Sequence, residues 1–121
     1  MTIFIYIGLF IKTMDFTQKK CMPCEAGTPP LKDEEIKNLL EQIPAWALKD
    51  GHLHKKFKFK NFAEAMKFVN NIARIAEEEG HHPDFSVHYN KVEVELWTHA
   101  INGLSENDFI VAAKIDEIRL V

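Results

Sequence analysis

Three of the six histidines occupy two short stretches that could carry out proton transfer. His81 and His82 are adjacent, between Gly80 and Pro83, and His99 follows seventeen residues after His82. Imidazole is the side chain whose ordinary pKa lies nearest neutral pH, so grouped histidines suit general acid and base catalysis. These three residues are therefore the candidate catalytic residues.

A β-hairpin between the two stretches is predicted to bring the histidines together. Apolar and polar residues alternate over 85–89 and over 92–96. The dipeptide 90–91 between them is predicted to form a two-residue turn. Pairing around that turn places His82 directly opposite His99, where the Cβ atoms of paired residues lie about 5 Å apart.

A metal site is the alternative interpretation of the same residues. Three imidazoles and a water molecule make a catalytic zinc site. However, adjacent residues of a strand point to opposite faces, so His81 and His82 converge poorly unless the chain bends there. We therefore favour metal-free chemistry and assign no metal ligand.

Two carboxylates could support the histidines. Glu77 lies one helical turn before His81, where it could hold the tautomer of that ring. An equal alternative is a solvated position within the acidic run 77–79. Asp108 is expected to cap the third helix three residues after Ser105, and this helix start could point into the same pocket.

The remaining cysteines and histidines carry weaker signals. Cys21 and Cys24 form a lone Cys-x-x-Cys without the βαβ setting of a redox motif or a second ligand pair. One interpretation of these two cysteines is a zinc site shared between subunits. The favoured interpretation is an arm without direct function. His52, His54 and His88 alternate with apolar positions and are predicted to face solvent.

Length and charge limit the classes of protein. The chain has 121 residues, a formal net charge of −3 and a pI of about 6.1. It is long enough for one domain with a core, and it gives no electrostatic reason to expect nucleic acid or an anionic membrane as a partner. Two cysteines and no convincing export signal predict a cytoplasmic protein.

The N-terminal 30 residues are expected to form an arm. Residues 1–11 are strongly apolar but too short for a bilayer-spanning helix. They suit an extra strand, or residues 1–13 are a start-site artefact with Met14 as the true start. Residues 15–30 are rich in turn formers, which predicts a loop or partly disordered arm.

The apolar pattern predicts three helices and four strands in the order αββαββα. The helices are expected over 33–42, from Asn61 to Gly80, and after Ser105. The strands are expected over 46–49, 52–60, 85–89 and 92–96. This order predicts an α+β two-layer sandwich, a four-stranded antiparallel sheet with three helices on one face, within the domain 31–121.

The third helix has apolar residues around more than half of its circumference. A helix of this kind is usually covered on two sides. In so small a domain, the expected second cover is another subunit.

The chain resembles the pterin-4a-carbinolamine dehydratase family from Leu31 to the C-terminus. Four spaced motifs carry the resemblance: Glu77-x-x-x-His81-His82-Pro83-x-Phe85, Tyr89-Asn90-Lys91-Val92, Thr98-His99 and Gly103-Leu104-Ser105-x-x-Asp108. The Cys-x-x-Cys arm and 28–31 are similar to bacterial-type members. Phe85 stands where many members carry Trp, which is expected to keep an aromatic wall.

The resemblance implies dehydration of 4a-hydroxytetrahydropterin (4a-hydroxytetrahydrobiopterin) to quinonoid dihydropterin and water, without metal or cofactor. This reaction recycles the pterin of aromatic amino-acid hydroxylases. It implies catalytic roles for His81, His82 and His99, and substrate-pocket roles for Glu77, Pro83 and Asp108. We expect His81 and His99 to transfer the protons and His82 mainly to bind.

The resemblance also implies a homodimer or homotetramer, functionally coupled to a hydroxylase. Two alternatives of other classes remain. One is a non-catalytic protein-interaction or dimerisation module, and the other is a pterin-binding accessory protein, for example in molybdopterin metabolism. Three clustered imidazoles favour the enzyme, because an interaction module has no use for them.

Overall fold

A computed structural model describes residues 15–118 of the chain. Its three α-helices are α1 (Asp33–Leu40), α2 (Phe62–Glu79) and α3 (Glu106–Asp116). Its four strands are β1 (Ala47–Lys49), β2 (His52–Lys58), β3 (Asp84–His88) and β4 (Lys91–Leu96). Two short 3₁₀ helices, Phe16–Gln18 and His99–Ile101, complete the elements. The order αββαββα and the α+β class are confirmed.

The strands form one antiparallel sheet in the order β1-β2-β4-β3. Alternate residues of its two central strands are fully buried and form the inner face: Leu53, Val92, Val94 and Leu96. Complete burial of such a side chain stabilises the fold by roughly 1.5–3 kcal/mol. The residues between them point to the opposite, outer face of the sheet.

Helix α2 begins and ends at the residues that the sequence predicts. The side chain of Asn61 accepts a hydrogen bond from the Glu64 backbone N–H at 2.9 Å, which caps the first turn. Gly80 ends the helix in the left-handed conformation, with φ 66°, where a glycine has no steric penalty. The next residue, His81, therefore leaves the helix at a fixed position.

The apolar circumference of α3 is covered within the chain. Phe109, Ile110 and Val111 are buried although they lie on different sides of the helix. Phe16 of the N-terminal segment is also buried, and its ring centroid lies 6.0 Å from that of Phe109. Residues 19–30 form a loop, as predicted, but Phe16 lies in a short 3₁₀ helix and packs against α3. Because α3 is buried within the chain, it no longer argues for a subunit contact.

The turn between β3 and β4 differs from the prediction by two residues in register. It lies at 89–90 rather than 90–91, with Tyr89 at φ 54°. Two hydrogen bonds between Asn90 and the backbone of Phe59 fix this turn. The Phe59 N–H donates to the Asn90 backbone carbonyl at 2.8 Å, and the Asn90 side-chain amide donates to the Phe59 carbonyl at 2.9 Å. The end of β2 therefore holds this turn in place.

The shift changes the expected pairing of the histidines. A shift of two residues preserves which side chains face the core, because the side-chain period of a strand is two. However, β4 ends at Leu96, and His99 begins a 3₁₀ helix. The predicted cross-strand pairing of His82 with His99 is wrong.

Two further expectations concern the N-terminal residues and a membrane-spanning helix. The extra strand or start-site artefact at 1–13 lies outside the described residues. Between residues 15 and 118, no helix has both the length and the apolar character needed to cross a bilayer.

Candidate functional site

A cavity of about 520 Å³ lies where the C-terminus of α2, the start of β3 and the second 3₁₀ helix meet. The N-terminal segment closes one side of it. Its lining comprises Cys21, Met22, Pro23, Cys24, Glu79, Gly80, His81, His82, Pro83, Asp84, Trp97, Thr98, His99, Ala100 and Asn107. The three candidate histidines and Pro83 therefore share one cavity, although the histidines are not strand partners.

His81 is held from behind by a buried carboxylate. Its Nε2 lies 2.6 Å from Oδ1 of Asp108, and the two side chains are 12% and 0% exposed. The other carboxylate oxygen of Asp108 accepts hydrogen bonds from the Thr98 hydroxyl at 2.7 Å and the Ser105 N–H at 2.9 Å. Asp108 is thus fixed on both oxygens and orients the His81 ring.

His82 has a carboxylate partner at the same distance but in solvent. Its Nε2 lies 2.6 Å from Oε2 of Glu77, and the two side chains are 60% and 78% exposed. Glu77 therefore contacts His82, not His81 as the helical spacing suggested. It also lies outside the lining of the cavity.

His99 lies against an aromatic wall. Its ring stacks on Trp97 with centroids 4.0 Å apart and an interplanar angle of 23°. Asp84 contacts both rings: its Oδ2 accepts a hydrogen bond from the Trp97 indole N–H at 3.2 Å and lies 3.6 Å from His99 Nε2. Each of the three cavity histidines thus has a carboxylate of its own.

Asn107 ties the Cys-x-x-Cys segment to the cavity. Its side-chain oxygen accepts a hydrogen bond from the Met22 N–H at 3.0 Å, and its amide donates to the Met22 carbonyl at 2.5 Å. The Cys21 N–H donates to Glu79 at 2.9 Å. The segment is therefore an ordered part of the cavity wall, which the favoured reading of an arm without direct function did not anticipate.

Burial governs the ionisation of Cys21. Burial, followed by the neighbouring Glu79 carboxylate, raises the pKa of the Cys21 thiol to about 12. For Glu79 the causes oppose one another. Burial alone would raise the pKa of Glu79, but hydrogen bonds from Lys114 at 2.6 Å and from the Cys21 N–H outweigh it and lower that pKa.

Two residues predicted for the substrate pocket have other positions. Asp108 is fully buried behind His81 and has no exposed surface with which to touch a ligand. Glu77 lies beyond His82 at the surface. Phe85, the expected aromatic wall, is exposed and does not line the cavity, and Trp97 supplies that wall instead.

Sequence reasoning also missed residues that line the cavity. Trp97 adjoins the Thr98-His99 motif and Asp84 directly follows Pro83 within another, so these positions could have indicated them. Asn107 and Glu79 gave no such signal, because their roles depend on the N-terminal segment folding back over α3.

The prediction of solvent-facing histidines holds only in part. His88 is exposed, but the side chains of His52 and His54 are only 22% and 18% exposed. The His52 ring stacks on the indole ring of Trp97, with ring centroids 4.3 Å apart and an interplanar angle of 9°. Both histidines lie on the outer face of the sheet.

The chain is similar to known proteins over most of its length. The family model described as pterin 4 alpha carbinolamine dehydratase matches residues 29–118. A protein of Rickettsia canadensis, named provisionally as a pterin-4-alpha-carbinolamine dehydratase, is 53% identical over 102 residues, covering 83% of this chain and 94% of the relative.

Two solved structures are also similar. One is a transcriptional coactivator/pterin dehydratase from Brucella melitensis, with a TM-score of 0.69 and 35% identity over 72% of this chain and 95% of that one. The other is a pterin dehydratase-like protein identified as a RuBisCO assembly factor in the alpha-carboxysome, with a TM-score of 0.50 and 28% identity over 59% and 82%. The chain belongs to the pterin 4 alpha carbinolamine dehydratase family.

Proposed function

We propose that this protein dehydrates 4a-hydroxytetrahydropterins, such as 4a-hydroxytetrahydrobiopterin, to the quinonoid dihydropterin by histidine acid–base catalysis. Family membership supports the substrate class. The observation that carries the proposal is the cavity in which His81, His82 and His99 converge, each beside a carboxylate. This reaction is a step in recycling the pterin that an aromatic amino-acid hydroxylase uses.

The reaction needs two proton transfers. The C4a–O bond breaks as the leaving hydroxyl takes up one proton and departs as water. The N5–H bond loses its proton as the C=N bond of the quinonoid product forms. One general acid and one general base therefore suffice, and each contributes typically 10²–10⁴-fold.

His81 is well placed to accept the proton from N5. Asp108 accepts a hydrogen bond from Nε2–H of the neutral ring, so Nδ1 is left as the proton-accepting nitrogen. Because Asp108 is already bonded to Thr98 and Ser105, it holds this tautomer without itself touching the substrate. Asp108 is therefore a positioning residue.

We assign the second proton transfer to His99 and substrate binding to His82. The stacking of His99 on Trp97 and its contact with Asp84 limit the motion of its ring. His82 is largely exposed and lines the cavity, so it suits the recognition of a polar edge of the pterin, and Glu77 contacts its ring from outside the cavity. Pro83 would shape the wall between them.

The test is stopped-flow decay of enzymatically generated 4a-hydroxytetrahydropterin. Wild type should accelerate the decay, and His81→Ala and His99→Ala should each lower the rate 10²–10⁴-fold. Chelator should leave the wild-type rate unchanged. His88→Ala is the matched control, because His88 is an exposed histidine of β3 outside the cavity, and it should retain the full rate.

A well-folded wild type that leaves the spontaneous rate unchanged would overturn the proposal. Loss of activity in His88→Ala equal to that in His81→Ala would overturn the assignment of the site. Circular dichroism of each variant separates loss of chemistry from loss of the fold.

A second candidate function is a protein-interaction role without catalysis. The names of the two solved relatives favour it, since one is called a coactivator and the other an assembly factor. Absence of dehydratase activity together with capture of a defined partner would favour this candidate. A pterin-binding accessory role would instead show pterin binding without turnover.

The family likeness also leads us to propose a homodimer or homotetramer that acts in the cytoplasm. Sedimentation velocity on the purified protein tests the oligomeric state, and a monomer at micromolar concentration would contradict it.

A further inference from the structure

We propose that His52, His54 and Glu95 form a binding site for a divalent transition-metal cation of the Zn²⁺ type on the outer face of the sheet. We call these three residues the outer-face cluster. This proposal is independent of the dehydratase function, because none of the three residues lines the catalytic cavity.

The sheet topology brings the outer-face cluster together. His52 and His54 are two residues apart in β2, so they point to the same face. Glu95 lies directly opposite His54 in the ladder between β2 and β4. All three therefore project from two adjacent central strands whose backbones are fixed by the ladder.

The ligand atoms of the cluster lie at spacings that suit a metal ion. One ligand atom from each residue lies within 4.8 Å of the other two. Nε2 of His54 lies 3.4 Å from Oε2 of Glu95, and Nδ1 of His52 contacts the same oxygen. Ligands about 2.0–2.2 Å from zinc are separated by roughly 3.3–3.6 Å in a tetrahedral site. A cation can thus bind between the three ligand atoms after a small movement of the side chains.

A second observation sets the cluster apart from an ordinary surface ion pair. Nδ1 of His54 is buried and, within residues 15–118, has no hydrogen-bond partner. This nitrogen is not the one that contacts Glu95, so it does not itself mark the ion position, but a buried polar atom without a partner is uncommon. The ring is therefore not satisfied by protein contacts alone.

The surroundings favour a cation and give it access. His54 and Glu95 border a depression of about 280 Å³, whose other lining residues are Asp84, Phe85, Ser86 and Glu93. Three of these six residues are carboxylates and none is Lys or Arg. Two imidazoles with a carboxylate favour zinc-like ions over Mg²⁺ or Ca²⁺, which prefer oxygen ligands.

Trp97 provides an intrinsic reporter of the site. The His52 ring stacks on it with centroids 4.3 Å apart, whereas the second tryptophan, Trp46, is buried in the core. A paramagnetic ion such as Co²⁺ bound by His52 should therefore quench Trp97 emission. Trp97→Phe should remove that quenching without removing the binding.

The experiment uses untagged full-length protein that has been stripped with chelator. Isothermal titration with Zn²⁺, and fluorescence titration with Co²⁺, should give one equivalent of bound ion. His54→Ala and Glu95→Gln should each weaken that binding at least tenfold. His88→Ala is the matched control on the same sheet and should bind as wild type.

Two further variants exclude the other donor groups. Cys24→Ala and His99→Ala should retain the bound equivalent, because both residues lie at the cavity and not in the cluster. The proposal is overturned if wild type binds neither ion, or if His54→Ala and Glu95→Gln bind as wild type. It is equally overturned if binding is lost only in Cys24→Ala or His99→Ala. Melting curves confirm that each variant is folded.

Discussion

The inner wall and the rim of the cavity contain the same types of side chain in opposite environments. On the inner wall, His81 contacts the fully buried Asp108, and Cys21 is almost covered. On the rim, His82 contacts Glu77 in solvent. The two histidine–carboxylate distances are equal, at 2.6 Å.

The difference shows that distance alone does not indicate what a contact contributes. Asp108 is held on both oxygens by neighbours in three separate parts of the chain, so removing it leaves buried donors unpaired. Glu77 and His82 exchange their contact for water at little cost, because an exposed ion pair is weak. The inner wall should therefore determine stability and orientation, and the rim should determine access.

The largest expected effect concerns the reactivity of Cys21. Since the thiolate is the nucleophile and the pKa of Cys21 is raised from 9.0 to about 12, its thiolate fraction at pH 8 is about a thousandfold below that of an ordinary thiol. In native Cys24→Ala protein, alkylation of Cys21 by iodoacetamide should be slower than in urea by about a hundredfold or more, because the greater nucleophilicity of a high-pKa thiolate offsets part of the lower thiolate fraction. Cys21→Ala protein, which keeps the partly buried Cys24, is the control. Equal rates for Cys21 in the native and unfolded protein would contradict the prediction.

The same raised pKa predicts how stability changes in alkaline solution. The folded protein keeps the Cys21 thiol protonated, whereas the unfolded chain ionises it above about pH 9. The contribution of the protonated Cys21 thiol to the free energy of unfolding is therefore complete below pH 9. It is lost as the pH rises towards 12. Urea unfolding at pH 8, 9 and 10 should show a steeper loss for wild type than for Cys21→Ala. Parallel curves would count against a buried, protonated thiol.

Asp108→Ala should have the next largest effect. It removes a fully buried carboxylate that caps α3 and holds His81 and Thr98, so the free energy of unfolding should fall by about 3 kcal/mol. Urea unfolding at pH 7 measures this loss. Asp84→Ala is the matched rim control, because Asp84 is an exposed carboxylate beside His99, and it should lose much less. Similar losses for the two variants would remove the distinction between wall and rim.

Thr98→Val should have a smaller effect on the same network. It removes one hydroxyl donor to Asp108 while the bonds from His81 and Ser105 remain. The free energy of unfolding should fall by about 1 kcal/mol. The double variant with Asp108→Ala should lose less than the sum of the two single losses, since the residues share one network. Strict additivity would show that Thr98 acts elsewhere.

Glu77→Gln should have the smallest effect. Its contact with His82 is exposed, so the free energy of unfolding should change by less than about 0.5 kcal/mol. Unfolding in low and high salt measures the change and its screening. A loss above about 1 kcal/mol would place Glu77 with the inner wall.

Much of the fold could be predicted from local patterns. Asn61 and Gly80 marked the two ends of α2, and Ser105 marked the start of α3, because caps are recognised within a few residues of the chain. The three catalytic candidates were found from residue type and spacing and Pro83 from the family resemblance, and all four line one cavity. Their chemical roles stay predictions.

Other features could not be predicted because they depend on contacts between distant segments. The turn at 89–90 is fixed by Phe59, about thirty residues earlier. Within the chain, Phe16 covers a second side of α3, which the local pattern did not indicate. Helical spacing suggested Glu77 as the partner of His81, but the chain leaves the helix at Gly80 and turns that ring towards Asp108.

The sequence by itself determined the elements, their order and the residue types available for chemistry, since periodicity, caps and turn residues act over short stretches of chain. Only the tertiary structure decided which carboxylate meets which histidine, which cysteine is buried, and which histidines gather on the outer face. The physical reason is that these pairings depend on burial and on register between segments up to 86 residues apart. No local pattern carries that information.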